Sequence, residues 1–196
     1  MKIISTNVYV GPNVYASFPV IRHVLDLGIL EEWPTAKLGE KFTEGLVDRL
    51  PGLAEHGCSY QSTGGFVRRL NEEEGTWMGH VMEHVALELQ NIAGSNVTFG
   101  RTRSTGVKGQ YNLVFQYLQR DVGLAASQLA QKILIDLLPK NLRDQIKSID
   151  PKFNFEEERD DFIRLAQKFE FGPSTASLIK AARERDIPSI RLNQYS

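Results

Sequence analysis

The chain has 196 residues, 41% hydrophobic and 24% charged, enough for one good core and the start of a second unit. Its 23 Lys and Arg balance 24 Asp and Glu for a net charge of -1, which argues against a nucleic-acid or membrane-surface binder while leaving room for a local basic groove. A single cysteine, Cys58, excludes an internal disulfide and fits a reducing cytoplasm, and neither a signal peptide nor an apolar run of about 18 residues is visible.

Lys2 to Val10 alternates in part between apolar and polar residues and closes on Gly11-Pro12-Asn13, a strand and a turn. Val20 to Leu27, rich in β-branched residues, reads as a second strand, and residues 28–39 as a loop punctuated by Gly28, Pro34 and Gly39. Phe42, Leu46 and Leu50 fall at helical spacing, so a helix is expected from Lys41 to Leu50, stopped by Pro51-Gly52. The segment from His56 to Gly65 is a turn-rich loop leading into a short expected strand, Phe66 to Leu70. Thr76 is the expected cap of a helix from Trp77 to Ile92, whose apolar positions Met78, Val81, Val85, Leu89 and Ile92 recur at helical intervals before Gly94. Asn96 to Thr102 and Gln110 to Leu118 read as a hairpin, followed by a helix from Asp121 to Leu138 that Pro139 ends. The expected fold over residues 1–149 is α+β, with helices packed on a mainly antiparallel sheet.

From Asp150 the texture changes. Asn154 is the expected cap of an acidic helix ended by Gly172-Pro173, which makes residues 150–171 a helical linker. Ser174 is the expected cap of a further helix, and Ile187 to Leu192 reads as a strand. A helix and a strand cannot close a core alone, so residues 172–196 are expected to open a second domain.

Two of the four histidines sit in His80-Val81-Met82-Glu83-His84. Positions four apart on a helix rise by about 6 Å on nearly one face, so both imidazoles can converge on one metal ion. The order is that of the inverted zinc peptidases, with the histidines as ligands and Glu83 as the base that takes a proton from water. Zinc in such a site wants three protein ligands plus water. Asp121, opening the next long helix, is the preferred third ligand, with Glu72, Glu73 and Glu74 as weaker candidates. Glu88 lies about 12 Å along the axis from His80 and is better placed to orient His84 from behind. The competing reading is an ordinary half-buried histidine pair; Gly79, which lets another segment approach, and the apolar remainder of the helix weigh against it. Arg101 and Arg103 alternate along their strand and share a face, with Arg68 and Arg69 on a neighbouring strand. They can hold carboxylates of an acidic polymer, or form only the solvated face of a sheet. For Cys58, an inert thiol is favoured over a catalytic one assisted by His56.

Several stretches together resemble the beginning of the cyanophycin synthetases: Gly11-Pro12-Asn13, LPGLAEHGCS at 50–59, GGF at 64–66, GHVMEHVALELQNIAG at 79–94, FGRTR at 99–103, and FGPSTASLIKAARERDIPSIRLN at 171–193. They follow the family's order across nearly the whole chain, although GPNVYAS and residues 28–41 depart from its pattern. The resemblance implies a polymer-binding amino-terminal domain and the first elements of an ATP-grasp region. It implies as partner the polymer cyanophycin, a poly-aspartate backbone with arginine on each side chain, and a homo-oligomeric full-length enzyme. ATP and magnesium would serve only the ligase domains, which cannot fit in these residues. In some members this domain is thought to be a slow zinc-dependent hydrolase that cuts polymer into primers, and His80, Glu83 and His84 match its motif. Asp121 falls where an acidic residue is expected. The alternative is a noncatalytic polymer anchor with a relict motif, which has no need of Glu83 as a base.

Overall fold

The computed structural model describes residues 1–146, 152–187 and 189. The described elements are β1 (Lys2–Tyr9), β2 (Val20–Asp26), α1 (Thr35–Leu38), α2 (Glu40–Arg49), α3 (Gly65–Asn71), α4 (Met78–Ile92), β3 (Gly100–Ser104), β4 (Gln110–Gln116), α5 (Arg120–Leu137), α6 (Lys140–Arg143), α7 (Phe155–Gln167) and α8 (Pro173–Arg183). Every pairing in the sheet is antiparallel, in the order β1-β2-β4-β3, which makes the fold α+β as its patterning predicts. Asn13 fastens the β1–β2 connection: its amide donates to the Gly11 and Phe18 carbonyls, and its Oδ1 accepts from Tyr15 and Ala16 N–H.

Alternation along β2 and β4 aims Ile21, Leu25, Leu113 and Phe115 into the core. There they meet α4 and α5, which pack on each other. α4 carries the sheet on one side and α5 on another, so it is buried nearly all round, Val81, Met82, Val85, Ala86 and Leu89 being fully enclosed. The same burial takes in Glu83, His84, Glu88 and Gln90. Polar groups on an enclosed helix need partners within the protein.

Some local expectations give way to particular contacts. Phe66 to Leu70 is helical rather than extended: Phe66 and Leu70, one turn apart in α3, are both fully buried, and a five-residue segment does not reveal its own period. The loop over 28–39 contains helical turns, Gly28–Glu32 and α1. β3 starts at Gly100, not Asn96, because the Asn91 side chain bonds both Val97 N–H and Val97 C=O and holds that stretch beside α4. Thr76 caps nothing; Trp77 is the residue at the helix N-cap, and the Thr76 hydroxyl turns to His80. Asn154 does cap α7, accepting from Glu156 and Glu157 N–H. α7 lies against α5 with Phe155, Phe162 and Ala166 buried in the common core. α8 starts from Gly172 with Pro173 in its first turn, so Ser174 lies inside the helix. The expected strand from Ile187 to Leu192 falls largely outside the described residues. No helix among the described residues is long and apolar enough to cross a membrane.

Candidate metal centre

The site grows from the first turns of α4. Helical spacing sets the His80 and His84 rings side by side, their centroids 4.8 Å apart and nearly perpendicular. Phe66 of α3 stacks on His84 at 4.0 Å and so fixes its ring plane. The turn Cys58–Tyr60 brings a thiol to the same place, with Cys58 Sγ 3.3 Å from His80 Nε2. Cys58 holds a φ of 49°, a left-handed conformation that a non-glycine residue adopts at some cost. Ligand atoms of Cys58, His80 and His84 all lie within 4.8 Å of one another. A soft thiolate with two neutral imidazoles is a donor set that zinc accepts, three protein ligands leaving a fourth position open.

The outer contacts poise both rings. His80 Nδ1 meets the Thr76 hydroxyl at 3.0 Å, which leaves Nε2 as its inward atom. His56 Nε2 contacts Glu88 Oε2 at 3.0 Å, and His56 Nδ1 contacts His84 Nδ1 at 2.8 Å. A carboxylate only accepts, so His56 donates from Nε2; its Nδ1 then accepts from His84 Nδ1–H, and His84 Nε2 keeps a lone pair for a metal. Glu88 therefore reaches His84 through His56 rather than directly. Gly52 makes the room, since a Cβ there would lie 2.6 Å from Glu88 Cδ.

Burial, reinforced by the charges of Arg69 and Arg103, pushes the His80 pKa down to about 4. Burial also holds His84 well below the usual histidine range, with His80 and His56 adding to the effect. Both rings are neutral near pH 7, the state a metal ligand requires. Glu83 moves the other way: burial raises its pKa to about 7, against the opposing pull of the Thr102 hydrogen bond and of Arg103 and Arg101. Thr102 of β3 donates to Glu83 Oε2 at 2.6 Å, while Oε1 has no protein donor among the described residues. Gly100 lets Glu83 lie flat against β3, since a Cβ there would come within 2.6 Å of both Glu83 Cγ and Cδ. The close approach that Gly79 allows is taken by Thr102, Tyr111 and Leu25.

The other expected site residues are elsewhere. Asp121 is exposed in the first turn of α5. Its neighbour Gly123 faces Gln90, ten residues or about 15 Å along α4 from His80, so Asp121 does not join the histidines. Glu72 is engaged by Tyr60 and Arg68, whereas Glu73 and Glu74 line a separate cleft with Glu31, Glu32 and Trp77. Arg68 and Arg69 belong to α3, not to a strand. Arg101 and Arg103 are exposed on β3, close enough to Glu83 to lower its pKa. Sequence patterning missed Cys58 and His56 as members of the centre. Their signal was faint: a thiol and an imidazole two positions apart in a loop crowded with glycine.

The family model described as "Cyanophycin synthase-like N-terminal domain" matches residues 22–139. Across 98% of its length the chain is 38% identical to a cyanophycin synthetase of Geminocystis herdmanii. It is 37% identical, over the same share, to cyanophycin synthetases of Trichormus variabilis and a Synechocystis species. The chain spans only 20–21% of the length of these relatives.

Proposed function

The chain belongs to the cyanophycin synthase-like N-terminal domain family, and from that premise we propose that it binds the arginine-bearing poly-aspartate polymer and hydrolyses it to primers, with Cys58, His80 and His84 holding zinc and Glu83 as general base. The observation that carries the reading is the convergence of those three ligand atoms on the helix that also buries Glu83, whose Oε1 has no protein donor among the described residues. Cys58 takes the place that patterning gave to Asp121. ATP, magnesium and the ligase reaction fall to the rest of a full-length synthetase, as does assembly into homo-oligomers.

Zinc, when bound, supplies Lewis acidity that brings the pKa of a water towards ~7. The residues do the rest. Glu83, with a pKa of about 7 in its buried setting, is near the optimum for a base at neutral pH. Oε1 accepts the proton of the attacking water and delivers it to the departing amide nitrogen, so the peptide C–N bond breaks with no net proton change on the carboxyl. Thr102 holds Oε2, which leaves Oε1 without a protein donor among the described residues and able to accept the proton. The Glu88–His56 pair keeps His84 in the tautomer that presents Nε2. Arg101 and Arg103 offer guanidinium forks to carboxylates of the polymer.

A buried carboxylate with Thr102 as its one hydrogen-bond donor among the described residues is costly to keep in a mere anchor, which favours the hydrolase over a relict motif. Incubating the protein with cyanophycin and following chain length tests it: shortening that needs zinc and is absent in Glu83→Gln supports the reading. Binding without shortening, in protein that holds zinc, would leave only the anchor.

A further inference from the structure

We propose that the open edge of β3 is the main-chain docking site of the substrate: an extended peptide bearing carboxylates on its side chains adds there as a fifth strand. The hydrolase reading supplies the functional meaning of its register, but the docking stands on its own observations.

β3 is a terminal strand of the sheet, and β4 and α4 are the elements that pack against it. The ladder fixes which backbone groups face outward. Gln116 N–H donates to Phe99 C=O, and Thr105 N–H donates to Gln110 C=O, so the odd-numbered residues 99 and 105 turn their backbone groups towards β4. In an antiparallel ladder the hydrogen-bonded pairs alternate, so Arg101 and Arg103 face β4 as well. Gly100, Thr102 and Ser104 therefore point N–H and C=O away from the sheet. Exposed edges are usually blunted by a proline, a bulge or an inward charge. The opposite edge, β1, carries a register shift between Ile3 and Ser5, whereas the register of β3 on β4 is unbroken and β3 contains no proline. The open edge belongs to the strand that lies against Glu83.

Position and charge say what lies along it. The Thr102 side chain turns to α4, where it meets Glu83, and Gly100 lies against the same glutamate. A strand paired on this edge runs about 5 Å from β3 and so carries its peptide groups past Glu83. Successive side chains on β3 alternate, placing Arg101 and Arg103 on the far face of the sheet. Both are exposed, and neither pairs with a carboxylate among the described residues. Their cross-strand neighbours would be the side chains of the added strand that point away from the centre, and carboxylates there complete the pairs. Arg103 Nη1 now donates to Thr102 C=O at 3.0 Å, covering one outward carbonyl with its own side chain. A carboxylate that draws off the guanidinium frees that carbonyl for the incoming strand.

Amide hydrogen exchange reads this directly, in ¹⁵N-labelled Glu83→Gln protein with cyanophycin as the probe. Without polymer, Thr102 and Ser104 N–H should exchange fast and Arg101 and Arg103 slowly. With polymer, Thr102 and Ser104 should slow at least tenfold. Ser104→Pro removes one outward N–H and no ladder bond, together with the Ser104 Oγ that accepts from Gly106 N–H, so Ser104→Ala is its control; the proline should weaken polymer binding by roughly tenfold relative to the alanine at equal melting temperature. Polymer binding with no added protection at Thr102 and Ser104, or no binding at millimolar polymer, overturns the proposal. Protection that grows with protein concentration alone gives the edge to a second copy of the chain and overturns it too. Protection without hydrolysis by the wild type upholds edge docking and removes the hydrolase reading; hydrolysis without protection does the reverse.

Discussion

Gly100→Ala puts a methyl group within 2.6 Å of both Cγ and Cδ of Glu83, closer than unbonded carbons come. Moving only the carboxylate tip does not relieve the contact, because Cγ is struck as well. Glu83 is 4% exposed and hydrogen-bonded to Thr102, so it leaves its place only by losing that bond or displacing β3. Overpacking of this kind costs about 1–3 kcal/mol and a lost buried hydrogen bond about 1 kcal/mol more. The melting temperature should fall by roughly 5–10 °C for a domain of this size. Zinc content should be unchanged, because Cys58, His80 and His84 lie off the Gly100 contact. Hydrolysis should fall by about 10²-fold, the usual result of shifting a catalytic group by 1 Å. Thermal melts, elemental analysis and a chain-length assay on one preparation measure all three. A melting temperature and a hydrolysis rate both equal to wild type would show that Glu83 is not held against β3.

Cys58→Ala, His80→Ala and His84→Ala should each lose most of the zinc, whereas Asp121→Ala should keep it; zinc titration separates the two sets. Glu88→Gln and His56→Ala should weaken zinc affinity by about 10–100-fold without removing a ligand, because they free the His84 ring. Stability should also fall with acid through His23, which lies between Thr6 and Ser127 on the sheet side of α5. Burial lowers its pKa from 6.5 to about 4, so between those values the unfolded chain binds a proton that the folded chain refuses. The contribution is complete above pH 6.5 and drains away towards pH 4, by about 3 kcal/mol in all. Melts from pH 8 to 4 should slope less in His23→Gln than in the wild type; equal slopes would show that His23 is not the group responsible.

Elements with strong periodicity were legible in the sequence, and those set by a single tertiary contact were not. β2, α2, α4 and α5 fall within a residue or two of their patterned bounds, because their apolar repeats run over two turns or several alternations. Phe66 to Leu70 was too short to show a period, and the strand start at Asn96 was overruled by the Asn91 side chain six residues away. The centre divides likewise. His80 and His84 are local to one helix, so their spacing predicts their convergence, while Glu83 on the same helix lies against β3. Cys58 and His56 come from a loop whose path depends on turns that patterning does not encode, and a thiol without a base next to it in sequence gives no sign that a helix 22 residues on will supply two. Asp121 had the right charge at the start of the right helix, but α5 begins at the wrong end of α4.

The most direct test measures zinc and cyanophycin chain length in the same purified samples of wild type and Glu83→Gln. About one zinc per chain is expected in both, with shortening of the polymer by the wild type and a loss of about 10²-fold or more in the variant. Equal cleavage by the two proteins, or none by zinc-loaded wild type, would contradict it.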